Sequence, residues 1–491
     1  MEPKFAHIVL DKNAKMNPEQ YKEYINNVLK REDKTIFLGF FDVLKDEGMV
    51  IKKGNTPQIQ RLEIVGKQFD YWAAHPDQPI DLIDFNDNKF DAALTCYNQD
   101  NIKELANKAF QKLKKVFDAC QIRRFSLPSY FTNMLYDNSA EMLQLLTGKT
   151  FLEELTLESD SDAIFAALLN LLSDPNCRLK HLAIAHYDFK AINSELLAEK
   201  LLQMKFPLKK ITLRLVPEIK LAEAIFTLAT NGSLTSIFIA SDRGDQAALD
   251  RVIEAISQAK NLEEVELPDL KNPKNCEELA RGWQGNTTLT SVEVREWNGQ
   301  KNELQMALTL PSLKSLKLEN AISGMEFLRT TTKLQKLEIS LEVSLEAAKG
   351  IADLLALDAC QLQVLIFRRM GQKKLTPGVV KALSKGLAVN RSLKTFKCEL
   401  ASNDEGTEEL TASLLTQQGL EELNIEGFLT NQAAQENLIK FVETSKSIRE
   451  LTYNLEYYND EDVPKWPQRE RLTNAIQNSE TLTAVSLLGM N

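Results

Sequence analysis

The chain has 491 residues, with 59 Lys and Arg against 69 Asp and Glu, a formal net charge of −10. That balance argues against a general affinity for DNA, RNA or anionic membrane, because phosphate binding relies on clustered Lys and Arg. A hydrophobic content of 43% is enough to bury a substantial core, and the length suits several ordinary domains or one long repeat array.

The opening Met1-Glu2-Pro3-Lys4-Phe5 lacks a basic segment followed by an apolar one, so no secretory signal is expected there. Residues 1–121 carry a weak recurring pattern of the form L-x-x-L-x-L. It fits Phe5/Ile8/Leu10 and Ile59/Leu62/Ile64, and Asp33/Ile36/Leu38 fits in its last two slots. One further unit is either Ile80/Ile83/Phe85 or Asp91/Leu94/Cys96. The second choice spaces its neighbours evenly, and the first leaves a short step followed by one twice as long. A helix is predicted over 101–120, with Ile102, Leu105, Ala109, Leu113, Val116 and Phe117 on one side.

From 122 onward the pattern is regular. Ile122/Phe125/Leu127 is followed by Leu152/Leu155/Leu157, Leu179/Leu182/Ile184, Leu208/Ile211/Leu213, Leu234/Ile237/Ile239 and Leu262/Val265/Leu267. The series continues through Leu289, Leu313, Leu334, Leu362, Leu393, Leu420, Ile448 and Leu482. Amphipathic helices are expected between the units. Residues 161–175 place Ile164, Phe165, Leu168, Leu169, Leu171 and Leu172 at helical spacing behind the candidate N-caps Ser161 and Asp162. Pro377 opens a helix over 377–390. Leu410, Leu414 and Leu415 mark another over 407–419, with Gly419 as its expected stop. Tyr457 to Pro467, with Asp460, Glu461 and Asp462, reads as an exposed acidic loop.

The last two apolar slots of each motif lie two apart and point to one side of a strand. One strand and one helix cannot bury both apolar faces alone, so the units must stack. A helix is wider (roughly 10 Å) than a strand spacing (roughly 4.8 Å), which bends the stack with strands inside.

These motifs resemble leucine-rich repeats, and Leu387-Ala-Val-Asn390-Arg-Ser-Leu393 and Asn231-Gly-Ser-Leu234 resemble the ribonuclease-inhibitor-like subclass. There an Asn precedes the strand's first Leu by three residues, and Asn286 before Leu289 repeats the arrangement. The resemblance implies an α/β horseshoe with a parallel concave sheet and convex helices, in about 18 repeats of roughly 28 residues. Residues 1–121 would be degenerate N-terminal repeats with a helical interruption, and 122–491 regular repeats including a C-terminal cap. The family's later Asn or Cys is mostly absent. Asn13 and Asn88 fill that slot, but Asp160, Tyr187, Val216 or Leu270 stand there elsewhere, so irregular curvature is expected.

No catalytic signature emerges, and the chain is not expected to be an enzyme or to hold a cofactor. Thr147-Gly148-Lys149-Thr150 is similar to the end of a P-loop, but Leu143 replaces its first glycine. No G-x-G occurs. His181 and His186 are too few for a metal site. Cys96, Cys120, Cys177, Cys276, Cys360 and Cys398 form no C-x-x-C pair, which suits free buried thiols in a reducing compartment. The alternative is a regulator of GTPases, a branch of this repeat class that works from an Arg near its first repeats. Arg123 and Arg124 stand on a candidate strand there without an accompanying signature.

The expected function is protein binding on the concave face. Slots 3 and 5, and the residue after slot 6, face that side. The candidate contacts are Lys210, Arg214, Phe238, Glu264, Glu266, Glu293, Arg295, Lys317, Val364, Ile366 and Arg368. Alternating charge suits a protein partner better than a polyanion. Apolar side chains in such slots are informative because water disfavours them, and aromatic and Arg residues are the usual anchors of interfaces. No nucleic acid, membrane insertion or cofactor is expected, and the oligomeric state is left open. A cytoplasmic location follows from the cysteines. The degenerate repeats and Lys/Asn/Gln-rich polar positions resemble virulence effectors that intracellular bacteria deliver into host cells by a non-classical route, which implies a host protein as partner.

Overall fold

A computed structural model describes residues 7–8, 35–36, 73–74 and 80–84, most of 110–127 and most of 138–488. The larger gaps in the last span are 186–190, 240–244, 320–325, 369–374, 400–405 and 455–468. The chain divides into two compact units, Met1–Val252 and Ile253–Asn491.

Unit 1 contains β1 (His7–Ile8) and β2 (Thr35–Ile36), paired parallel to each other. Its main sheet runs through β3 (Ile80–Asp84), β4 (Ile122–Leu127), β5 (Glu154–Leu157), β6 (His181–Ile184), β7 (Lys210–Leu213) and β8 (Ser236–Ile239), each pairing parallel with the next. Between them lie α1 (Asn138–Gln144), α2 (Asp162–Ser173), α3 (Ala191–Gln203) and α4 (Ile219–Thr230). The units divide inside α5 (Gln246–Gln258).

Unit 2 repeats the scheme with β9 (Glu264–Leu267), β10 (Ser291–Val294), β11 (Ser315–Leu318), β12 (Lys336–Ile339), β13 (Val364–Phe367), β14 (Thr395–Glu399), β15 (Glu422–Glu426), β16 (Glu450–Asn454) and β17 (Ala484–Leu488), again parallel in chain order. The intervening helices are α6 (Pro273–Trp283), α7 (Lys301–Leu308), α8 (Leu345–Leu355), α9 (Pro377–Val389), α10 (Thr407–Leu414), α11 (Gln432–Thr444) and α12 (Arg469–Asn478). Between β11 and β12 the described residues make a 3₁₀ turn, Glu326–Thr330. Each unit is an α/β solenoid, as the motif predicted.

The register is the motif itself. In unit 2, Glu264, Ser291, Ser315, Lys336, Val364, Thr395, Glu422, Glu450 and Ala484 stand side by side, and all are slot 3. From Ile122 to Leu451 the slot 1, 4 and 6 residues are buried, and at slot 4 Leu155, Leu182, Ile211, Ile237, Leu316, Leu337, Leu365 and Leu423 are 0% exposed. Burying each such side chain contributes about 1.5–3 kcal/mol, so a one-residue slip would lose several of these at once. The helices supply the other wall of the core. In α2 the buried residues are Ile164, Ala167, Leu168, Leu171 and Leu172, with Phe165 and Leu169 half-buried at the flanks.

The fourth unit is settled in favour of Ile80/Ile83/Phe85. Ile80 stands opposite Ile122, and Ile83 opposite Phe125, so β3 is the direct neighbour of β4. The long connection between them holds the predicted helix in part, since residues 110–112 and 114–119 are helical. There Phe110, Val116 and Phe117 are buried, with Phe117 edge-on to Phe125 at 5.3 Å. The alternative Asp91/Leu94/Cys96 and the unit at Ile59 lie outside the described residues.

Pro377 occupies the first turn of α9, as expected. Helix α10 ends at Leu414 rather than running to Gly419. Ser413 and Thr416 hydroxyls donate back to Leu410 and Ser413 carbonyls, and Gln417 Nε2 donates to Leu387 O of the previous helix, which draws the chain away from the helix axis. The left-handed glycine is instead Gly406, φ 91°, at the start of that helix. Close helix packing depends on glycine elsewhere: a Cβ on Gly386 would meet the Ala352 backbone at 2.6 Å.

The Asn three residues before slot 1 satisfies backbone groups between turns. Asn390 is buried; its side-chain oxygen accepts from the N–H groups of Ser392 and Leu393 at 3.1 and 2.9 Å, and its Nδ2 donates to Leu355 O at 2.9 Å. Asn286 accepts from Thr288 and Leu289 in the same way, and Asn231 from Ser233. Where Asn is missing, Ser445 takes over weakly, accepting from Ser447 and Ile448 at 3.4 and 3.2 Å.

Candidate functional site

Alternation along each strand turns slots 3 and 5 away from the helices, onto the open face of each sheet. All the candidate residues stand in those slots or in the one after slot 6. What they contact there differs.

In unit 1, Lys210 places its ammonium 4.2 Å from the centre of the Phe238 ring, on the adjacent strand. Arg214 reaches Glu158 at 3.3 Å. His181 lies between them, with Nε2 3.1 Å from Thr212 Oγ1 and Nδ1 3.8 Å from Glu154. The bond from His181, helped by the charges of Arg124 and Arg123 against some burial, holds the Glu154 carboxyl below its usual range.

In unit 2, five charged side chains from three strands form a connected network. Arg295 grips Glu266 at 2.7 Å and lies 3.7 Å from Glu319. Lys317 bonds both Glu293 at 2.6 Å and Glu319 at 2.7 Å. Glu264 occupies the neighbouring position on β9. Burial, together with the charges of Glu266 and Glu319, pushes the Glu293 carboxyl up despite its bond to Lys317. Burial also acts on Glu319, but Lys317 and Arg295 outweigh it and hold that carboxyl down. Burial opposes the charge on Lys317 as well, and the two carboxylate bonds prevail, raising it.

These opposite shifts give a pH test. Glu293 contributes stability that is complete below its unfolded-state value and is lost as pH rises through its raised folded value. Glu319 contributes stability above its unfolded-state value that is lost as pH falls through its lowered one. Relative to wild type, Glu293→Gln should therefore gain stability as pH rises above the ordinary glutamate value of about 4.3, and Glu319→Gln should lose stability as pH rises toward that value from below. Urea unfolding at several pH values measures both slopes, and slopes of the same sign would refute the assignment.

The third cluster surrounds β13. Val364 and Ile366 are half-buried aliphatic residues in slots 3 and 5, where neighbouring strands place Lys336, Glu338, Thr395 and Lys397. Arg368 follows, 62% exposed, with its Nε 2.6 Å from Glu338. Glu338 is only 2% exposed and also takes Lys336 at 3.3 Å. Lys397 is bonded to Glu422. The sequence reading missed Glu338. Lys336 in its own motif and Arg368 in the next one flank it, and reading the slots across adjacent repeats would have found it.

Other motifs resolve structurally. Thr147–Thr150 lies in the turn entering β5, whereas a P-loop leaves a strand; Gly148 has φ 79° and its N–H donates to Asp174. Arg123 bonds Glu153 at 2.8 Å. Cys177, Cys276, Cys360 and Cys398 are buried free thiols. Among the described residues, no group of three or more His, Cys, Asp or Glu is placed to hold a metal ion, and no helix is long and apolar enough to cross a membrane.

The fold and its open faces define a repeat solenoid, an architecture compatible with protein–protein interaction. Neither the known family models nor the curated proteins match this chain.

Proposed function

We propose that this chain is a protein-binding solenoid whose partner docks on the open face of unit 2 around β13. The observation that carries this reading is the contrast between the clusters. The charges of the Glu266–Arg295–Glu293–Lys317–Glu319 network satisfy one another, which leaves little to gain from a partner. Val364 and Ile366 instead keep aliphatic surface in water, beside an Arg368 whose guanidinium is oriented by Glu338. Arg is among the residues enriched at interface hot spots, and aliphatic surface left in water beside it gains from being covered. Phe238 under Lys210 is a second, smaller anchor in unit 1.

The partner, on this reading, is a host-cell protein and the chain an effector. The support for that step is the irregular repeats and Lys/Asn/Gln-rich polar positions, and a translocation reporter fused to the chain tests it. Docking is tested by affinity capture with wild type, Ile366→Asp, Phe238→Asp and a helix-side control, Lys349→Asp. A partner recovered by wild type and the control should be lost with Ile366→Asp and weakened with Phe238→Asp. Equal recovery by all four would remove the open face from consideration.

A further inference from the structure

A second surface lies on the rim of the unit 1 sheet, where each helix hands over to the next strand. In unit 2 the residue before slot 1 is repeatedly a serine that ties its turn to the preceding one. Ser312 Oγ donates to Leu289 O at 2.6 Å, Ser392 to Leu362 O at 2.9 Å, and Ser447 to Leu420 O at 2.8 Å. In unit 1 the same position before β5, β6 and β7 holds Phe151, Arg178 and Pro207. These positions carry no hydroxyl to make such a tie, and their side chains stand in water.

Phe151 is 51% exposed and Phe206 37%. Over the Phe206 ring stand the Arg178 guanidinium at 5.3 Å and the Lys205 ammonium at 5.4 Å. Lys180 and Lys209 belong to the same rim, their turns locked together by the Lys209 N–H donating to Lys180 O at 2.8 Å. Glu153 is committed to Lys180 at 2.5 Å and Arg123 at 2.8 Å. Among the described residues, Arg178, Lys205 and Lys209 have no carboxylate partner.

We propose that this rim is a docking surface for an acidic protein segment that carries apolar side chains among its carboxylates. Unpaired cations set beside exposed aromatic rings complement that chemistry in both charge and apolar contact. An extended polyanion or an anionic bilayer would also meet the rest of a chain whose net charge is −10, and would be repelled. A short segment avoids that repulsion. The rim does not use the open face, so the two surfaces stand or fall separately.

The test is fluorescence anisotropy with the full chain and a labelled synthetic peptide of Asp and Glu interrupted by Leu. Saturable binding should appear at low salt and weaken as salt is raised. The variant Arg178→Glu/Lys205→Glu/Lys209→Glu should bind about tenfold more weakly or worse, because three attractions become repulsions. Phe206→Ser, which leaves every charge in place, should also weaken binding, as should removing Leu from the peptide. Ile366→Asp should bind the peptide as wild type does. Circular dichroism confirms that the variants remain folded. The proposal is overturned by absence of saturable binding, by unchanged affinity in the triple variant, or by tighter binding of phosphatidylserine vesicles or polyuridylate than of the peptide.

Discussion

Replacing Lys336 and Arg368 together with alanine should lower the stability of unit 2 by about 3 kcal/mol, although both side chains reach into water. The reason is the residue they face. Glu338 is 2% exposed, and the two cations bond it at 3.3 and 2.6 Å. Removing them leaves a buried carboxylate without those charge-assisted bonds, and an unpaired buried charge costs more than an exposed ion pair contributes. Adding Glu338→Leu to the double variant should recover most of the loss, because an aliphatic side chain at that depth needs no partner. Urea unfolding measures both steps. A double variant within about 1 kcal/mol of wild type would show that the carboxylate is reached by water. Glu338→Leu alone should instead preserve folding and weaken partner capture, since it releases Arg368 beside Ile366. Stability and binding are thus separable at one residue.

Trp283→Ala should cost about 3–5 kcal/mol, near the top of the range for such truncations. Trp283 is fully buried, and its indole N–H donates to Ile256 O at 3.3 Å. The neighbouring Gly282 explains why the cavity would persist. A Cβ there would meet Ser257 Cβ at 2.7 Å, so α5 and α6 already touch at backbone level and cannot close further. The cost of truncation grows with the volume left unfilled. Trp283→Phe keeps most of the volume and loses the hydrogen bond, so it should cost about 1–2 kcal/mol. Equal melting temperatures for Trp283→Ala and wild type would contradict this account of the core.

Much of the fold was legible in residue spacing. The L-x-x-L-x-L slots predicted which side chains seal the core, and the strand register follows them from β4 to β8 and from β9 to β17. The capping residues Asn231, Asn286 and Asn390 were legible too, because each acts on N–H groups two or three residues ahead. The candidate site was legible only as positions. Val364, Ile366 and Arg368 could be assigned to the open face, and Lys336 and Arg368 stand in slots that flank Glu338, but spacing could not show that Glu338 is buried, or that Lys317 serves two carboxylates.

What the sequence by itself determined, then, was the periodic and local part: strand and helix positions, the inward slots and the caps. Hydrophobic burial depends on each residue's own chemistry and its spacing from near neighbours, and both are written along the chain. What only the tertiary structure decided was which β3 stands beside β4, where α10 ends, which charges cancel, and which stay available on the rim. Those outcomes are set between turns. Side chains roughly 28 residues apart in sequence come to lie about 4.8 Å apart across a parallel pair, and their mutual contacts fix the electrostatics.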